Sequence, residues 1–371
     1  MIMKHILLVG NTAWSMYNFR RNLMQHLVKL GYKVSVLAPS EADFDEKMRA
    51  IGVDFYDLPL SAKGTNPFAD LALTFRIRKY IKQLKPDFAF FYTIKPNIYG
   101  GFAAKSCNLP YVAVTTGLGY TFVVDNLVSK IARLLYKLSF KNAQSVWFLN
   151  NDDKSDFLKY KLLPEERCFV LKGEGVNTER FQVKPLPKNI KFLLMARMLW
   201  DKGVGEFVDA ARLLKKDYPE VEFNLLGFLN AENPAAISEE QIRDWEKEGV
   251  IKYLGVTKDV RPYLEESTAM VLPSFYREGV PMTLLEAASM GRILISTDNV
   301  GCRDAVDDGI NGFLVPVKDH VALADAMRKV IEMSYDEKVA MGLAGRKKVE
   351  NEFADELVVK VYEGVLKENL K

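Results

Sequence analysis

Two carboxylates eight residues apart, Glu278 and Glu286, flank the Gly-Val-Pro turn in REGVPMTLLEAASMGRILIS. The strand-like run AMVLP (269–273) precedes them and the loop SFYREGV carries Glu278. Pro281 then suits the first turn of a helix, where its missing N–H costs nothing. That helix, MTLLEAASM, stops at Gly291, so Glu286 falls in its second turn and the helix N-terminus lies between the two acids. Unpaired N–H groups and a positive dipole make such an end a seat for phosphate. Carboxylates beside it would repel an anion, so they are useful only to another part of the same ligand, and sugar hydroxyls are the obvious donors. A nucleotide-sugar satisfies the whole constellation, with one acid on the hexose and the other on the ribose; a solvated loop Glu and a helix Glu are the plain alternative.

A second segment, KFLLMARMLWDKGVGEFVDAARLL, reads as strand, loop and helix. Arg197 stands at the strand's end, and Lys202 comes just before the helix, followed by Gly203 and Gly205. A guanidinium and an ammonium at a strand's carboxyl edge can neutralise a departing diphosphate without a metal ion; the alternative is two surface cations. No metal is expected elsewhere. Asp43-Phe44-Asp45 has the spelling of a metal motif but reads as the acidic start of a helix. Cys107, Cys168 and Cys302 lack Cys-x-x-Cys spacing, which argues against a zinc site or a disulfide framework.

These residues need a scaffold, and the 371-residue chain is long enough for two cores. Apolar runs (HILLVG, KVSVLAP, FAFFY, YVAVTT, SVWFLN) alternate with helical patterns, and a second series follows QVKPLPKN (182–189): KFLLMA, VEFNLLG, VIKYLG, AMVLP, RILIS and GFLVP. The expected fold class is α/β: two Rossmann-like, doubly wound parallel-sheet domains, residues 1–182 and 183–352, with a ligand cleft at the carboxyl ends of their strands. The tail 353–371 reads as an amphipathic helix, apolar at 353, 357, 358, 361, 365 and 366, that packs back on the first domain.

The opening MIMKHILLVG reads as a buried strand rather than a signal peptide, which predicts a cytoplasmic protein. No apolar window reaches the roughly 18 to 20 residues that span a bilayer, so any membrane contact is peripheral. Residues 1–165 hold 22 Lys+Arg against 13 Asp+Glu, and residues 166–371 hold 29 against 35, so the first half attracts anions. Its basic residues lack interleaved aromatics, which argues against nucleic acid. Asn18, Arg20 and Lys95 are candidate ligands for an acceptor diphosphate, or else core polarity tied to backbone. In LVSKIARLLYKLSFK, Lys130, Arg133, Lys137 and Lys141 recur at spacings of three and four. Such a helix either lies in an anionic headgroup layer or packs on the sheet with a charged outer face.

ARMLWDKGVGEFVDAA, GEGVNTERF, LGVTKDVRPYLEESTAMVLPS and REGVPMTLLEAASMGRILISTDNVGCRDAVDDGINGFLVP together resemble a retaining family-four glycosyltransferase of the GT-B fold, over essentially the whole chain. The resemblance implies that Glu278 contacts the donor hexose and Glu286 the nucleotide ribose. It also implies that Arg197 and Lys202 bind the diphosphate, and that Met282 and Thr283 offer backbone amides. NTAWSMYNFRRNL, FYTIKPNIYGG and VTTGLGYTF are similar to bacterial enzymes that add N-acetylhexosamines to undecaprenyl-diphosphate-linked acceptors, the α-1,3-N-acetylgalactosaminyltransferase group among them. That implies a nucleotide-sugar donor (UDP-linked), a lipid-linked acceptor, no cofactor, and work on O-antigen, capsule or glycan precursors at the anionic inner face of the cytoplasmic membrane. One departure is plain: the acceptor-side His of many members is replaced here at Thr116 or Gly117. A nucleotide-sugar 2-epimerase of the same fold and a non-catalytic sugar-nucleotide-binding module are the competing readings.

Overall fold

Apolar runs without alternation become strands covered on both faces, as a parallel sheet between helix layers requires. The structure, a computed structural model, describes residues 3–41, 43–61, 66–118, 122, 126–229 and 233–370. The chain divides into two compact units, Met1–Gly175 with Asp355–Lys371, and Val176–Ala354.

The N-terminal unit holds strands β1 (His5–Val9), β2 (Lys33–Ala38), β3 (Asp54–Asp57), β4 (Phe88–Tyr92), β5 (Tyr111–Thr115), β6 (Ser145–Phe148) and β7 (Cys168–Val170). They pair in parallel in the order β3-β2-β1-β4-β5-β6-β7. The C-terminal unit holds β8 (Lys191–Met195), β9 (Glu222–Leu226), β10 (Lys252–Tyr253), β11 (Ala269–Leu272), β12 (Ile293–Thr297) and β13 (Gly312–Val315). Their order is β10-β9-β8-β11-β12-β13, again parallel. In each sheet the winding reverses once, between β1 and β4 and between β8 and β11. Open α/β sheets bind ligands beyond the carboxyl ends of the strands at such a point.

The unit boundary falls at 175/176, not at 182, and the stretch 182–189 is no free linker. Val176 and Phe181 are buried in a core of the C-terminal unit with Leu193, Leu272 and Leu284. The guanidinium of Arg292, fully buried, donates to the carbonyls of Pro185 at 3.2 Å and Ser267 at 3.0 Å, and also to that of Lys184. Arg346 ties down Thr178 and Phe181 at 3.1 and 2.9 Å. The Phe181 carbonyl also accepts the Ser289 hydroxyl at 2.7 Å, and by pairing these carbonyls the two arginines fix the segment.

The last helix, Asp355–Asn369, belongs to the N-terminal unit. It buries Val358, Val359, Tyr362 and Leu366. Tyr362 is the centre of that face, its ring 4.8 Å from those of both Phe90 and Trp147, and its hydroxyl bonded to that of Tyr92 at 3.1 Å. Of the expected stripe, Val358 and Leu366 are buried and Val361 and Val365 pack half-buried against the same core, while Tyr362, which the stripe left out, takes its centre.

Candidate donor-binding site

β8 and β11 pair directly, and one glycine lays the turns that follow them against each other. Gly203 sits at φ 77°, and a Cβ there would come 2.1 Å from the carbonyl oxygen of Pro273, a distance only glycine permits. The tight turn Trp200–Lys202 is thereby laid against the loop after β11. Its Asp201 carbonyl accepts the backbone N–H groups of Phe275 and Tyr276, both at 3.0 Å.

Stitched in this way, the turn places the Lys202 ammonium on the Glu278 carboxylate as an ion pair, the side chains 12% and 13% exposed. Ser274 Oγ donates to the same carboxylate at 3.0 Å, and the Tyr276 ring centre lies 5.1 Å from Lys202 Nζ. Asp201 has one buried carboxylate oxygen with no hydrogen-bond partner among the described residues. Burial pushes its carboxyl above the ordinary range, Lys202 opposing and Glu278 adding to the shift. Arg197, just beyond β8, is exposed and makes no ion pair among the described residues. A site with one cation committed to a carboxylate and another free to turn is suited to receive an anion.

Behind Glu278 the chain enters the helix Met282–Ser289. Gly301, at φ 78°, closes this turn from the other side, since a Cβ there would meet the Gly279 carbonyl oxygen at 1.9 Å. Met282 and Thr283 are the first two helical residues, whose N–H groups have no partner within the helix. Glu286 is half-buried one turn on. Burial pushes its carboxyl up to about 7, with Arg180 opposing and Asp259 adding.

The pH dependence follows from that direction. A ligand whose hydroxyls donate to Glu286 favours the ionised form, so it must drive off the proton when it binds below about pH 7. A nucleotide diphosphate sugar has no group of its own titrating there. Its affinity is expected to rise about tenfold from pH 6 to pH 8 and then level off, whereas Glu286→Gln should give a flat profile by calorimetry. In the free protein the same raised carboxyl makes folding less favourable as pH rises between about 4.5 and about 7.

Arg180, Asp201 and Ser274 were not picked out in the sequence. Arg180 lies in GEGVNTERF and Asp201 in ARMLWDKGVGEFVDAA, so both stood in stretches already singled out. Only the geometry separates them from their neighbours. Among the described residues no three His, Cys, Asp or Glu side chains gather as a metal ion would require. All three cysteines are free, and burial pushes the Cys302 thiol up to about 12, too high for a nucleophile.

The candidate acceptor residues do not converge. Asn18 and Arg20 lie within the helix Ala13–Lys29. Asn18 is exposed and donates to the Trp14 carbonyl at 3.0 Å. Arg20 is 4% exposed, paired with the buried Glu174 at 2.5 Å and stacked 3.9 Å over the Tyr92 ring. Its charge is spent inside the unit, and the core-polarity alternative describes it better. Lys95 binds Asp70 at 2.8 Å, and Tyr99 donates to the other carboxylate oxygen at 2.9 Å. It borders a cavity of about 530 Å³ beyond β2 and β3 with Ser40, Asp57 and Arg76. Thr116 is half-buried just past β5. Thr93, at the end of β4, has φ 70° and a buried hydroxyl without a partner among the described residues. A β-branched residue rarely adopts that conformation, and such strain gathers where function requires it.

The four basic residues of LVSKIARLLYKLSFK also separate. Lys130, Lys137 and Lys141 are exposed, but Arg133 is buried, its guanidinium 4.2 Å over the Tyr160 ring. The helix Leu127–Phe140 turns Leu127, Ile131, Leu134 and Leu138 outward. Its outer face is therefore apolar between lysines, and not the charged outer face of the sheet-packed alternative.

Comparison with known proteins accounts for both halves. A family described as "Glycosyl transferase 4-like" matches residues 5–150, and one described as "Glycosyl transferases group 1" matches residues 189–333. The N,N'-diacetylbacillosaminyl-diphospho-undecaprenol alpha-1,3-N-acetylgalactosaminyltransferase of Campylobacter jejuni is 32% identical over 91% of each chain. The UDP-Gal:alpha-D-GlcNAc-diphosphoundecaprenol alpha-1,3-galactosyltransferase of Escherichia coli is 25% identical, over 78% of this chain and 76% of its own. A glycosyltransferase from Rickettsia africae superposes with a TM-score of 0.81 over the full length of both chains at 21% identity. Two parallel doubly wound sheets, a cation–carboxylate pair at the switch point of the second and a relative this similar across nine-tenths of the chain place the protein in the group 1 and 4-like glycosyltransferases, with the GT-B fold.

Proposed function

We propose that the protein transfers an N-acetylhexosamine or related hexose from a UDP-sugar to a saccharide carried on a polyprenyl diphosphate, in the making of a cell-surface polysaccharide or glycan precursor. The observation that carries this reading is the Lys202–Glu278 pair, with Arg197 beside it, at the carboxyl ends of β8 and β11. The acceptor class is supported by the two bacterial relatives named above, and the nucleotide by the donor in the name of the second.

In this mechanism the hexosyl group leaves through an oxocarbenium-like transition state, and negative charge grows on the diphosphate. Arg197, Lys202 and the first amides of the Met282–Ser289 helix answer that charge, and they act most strongly where it appears. They supply what a divalent ion would, so the reaction proceeds with chelator present and needs no cofactor. Glu278 orients the hexose and stabilises positive charge at its anomeric carbon, and Glu286 holds the ribose. The sugar keeps its anomeric configuration, with a donor-phosphate oxygen taking the acceptor's proton. The enzyme works at the cytoplasmic face of the membrane that carries its acceptor, attached peripherally, and no helix among the described residues is long and apolar enough to cross it.

The test is a screen of UDP-, GDP- and dTDP-sugars against short-chain polyprenyl-diphosphate-linked saccharides, chelator included. A UDP-sugar should give a product one sugar longer with the donor's anomeric configuration. An epimerised nucleotide-sugar from donor alone would replace this reading with a 2-epimerase, and tight nucleotide binding without turnover on any acceptor would replace it with a binding module.

A further inference from the structure

The edge of the C-terminal sheet is thinly covered: β10 has two residues, and the helix after it, Arg261–Glu265, has five. Alternate strand residues share a face, so Lys191 and Leu193 of β8, Glu222 and Asn224 of β9 and Lys252 of β10 all lie on the side that this helix covers. So short a cover reaches Leu193, buried with Leu264, and leaves the outer half of the face open as a pocket of about 490 Å³. The other side of the same strands is closed by a core of Phe223, Leu225, Trp245 and Ile251. Lys191 and Glu222 are the first residues of their strands. The pocket is therefore distinct from the Lys202–Glu278 pair, which stands beyond the carboxyl ends of β8 and β11.

Asn224 lines this pocket, is 6% exposed, and its side-chain oxygen has no hydrogen-bond partner among the described residues. Buried polar groups are paired with few exceptions, and a leucine here would leave no such group unmet. A half-turn about the last side-chain torsion offers either end of the amide, acceptor or donor, to the pocket. The charges around it balance. The Lys191 ammonium stands between Glu222 at 3.6 Å and Glu266 at 3.4 Å, and Asp259 is held by Arg261 at 2.6 Å. Lys252 is exposed and makes no ion pair among the described residues. An anion entering here meets carboxylates, and a cation meets the two lysines. A neutral ligand rich in hydroxyls suits both, donating to Glu222 and Glu266 and accepting from Lys252. Leu254, Pro262 and Tyr263 supply apolar wall for the C–H face of its ring.

We propose that this pocket is a saccharide-binding site separate from the donor and acceptor sites, with the Asn224 amide as its specific contact. Its volume is that of an ordinary small-ligand pocket. The test is calorimetry and saturation-transfer NMR with N-acetylgalactosamine, N,N'-diacetylchitobiose and maltotriose, with neither nucleotide-sugar nor lipid-linked acceptor present. At least one of the three should bind. Asn224→Leu should weaken that binding at least about tenfold, as loss of a buried hydrogen-bonding contact does. Glu266→Ala, on the exposed rim, should weaken it several-fold, and Glu278→Gln should bind like wild type. Asn224→Leu should also melt no lower than wild type, because it removes an unmet polar group. The proposal falls if none of the three sugars binds, or if either pocket variant binds them like wild type. It falls equally if Glu278→Gln abolishes binding, which would place the sugar in the donor site, or if Asn224→Leu melts well below wild type, which would give the amide a structural task. Since no transfer is measured, failure of the transferase reading would leave this site standing.

Discussion

Lys202→Ala is expected to lower kcat/KM for sugar transfer by roughly 10² to 10³-fold, about 2.7 to 4 kcal/mol of barrier, with the fold intact. The ammonium is not a mobile surface charge. It stands on a turn that Gly203 presses against the Pro273 carbonyl and that two backbone N–H groups fasten through Asp201. A cation held this firmly needs no reorganisation when charge arrives on the leaving diphosphate, and such preorganisation is what makes a donor effective. Lys202→Arg should not restore the rate, because a planar fork on a longer stem cannot take the place of a compact ammonium beside Glu278 and Tyr276. Steady-state rates with a UDP-sugar and a short-chain acceptor, read together with calorimetric UDP affinity and a thermal melt, check this. A rate and an affinity both equal to wild type would take Lys202 out of the diphosphate site.

The interior of the fold was readable because parallel strands buried on two faces leave an unmistakable trace. HILLV, FAFFY and YVAVT contain no outward position to interrupt them, and each is buried from end to end. The two strands not seen in the sequence, β3 (DFYD) and β7 (CFV), are the edges of the N-terminal sheet. An edge strand has one neighbour and an exposed flank, so it is short and mixed in polarity and resembles a loop. The same reasoning explains the sites. Glu278 and Lys202 were legible because a strand's carboxyl end followed by a glycine-bearing turn predicts where a side chain emerges. Arg133 misled because charge on a helix reads as solvent-facing, and Arg20 stayed open between an acceptor ligand and core polarity, because nothing local announces that Tyr160 or Glu174 waits inside to receive them. The helix Leu127–Phe140 stayed open between two readings for the converse reason: its leucines also fit the pattern of a buried stripe, and only the core packed under Tyr136 and Phe140 shows which side is in.

Glu278→Gln separates binding from chemistry most cleanly. The amide has the shape of the carboxylate and keeps an acceptor for the Ser274 hydroxyl, so the loop after β11 should stay in place. What disappears is the charge. In the free protein that charge occupies Lys202, and an incoming diphosphate has to compete with it for the ammonium. UDP is therefore expected to bind the variant as tightly as wild type or several-fold more tightly, by the part of the ion pair no longer broken on binding. Transfer should nevertheless fall by about 10² to 10³-fold, since the developing positive charge at the anomeric carbon loses its facing carboxylate. Hydrolysis of the donor should fall with it, which rules out a loss confined to acceptor docking. The double variant with Lys202→Ala should be slower by much less than the product of the two single losses, because both side chains act on one departing group. Wild-type turnover in Glu278→Gln would remove the residue from the mechanism. Weaker UDP binding would instead show that Glu278 serves to hold Lys202 upright, making the pair a piece of scaffold for the diphosphate and leaving the anomeric charge to other groups.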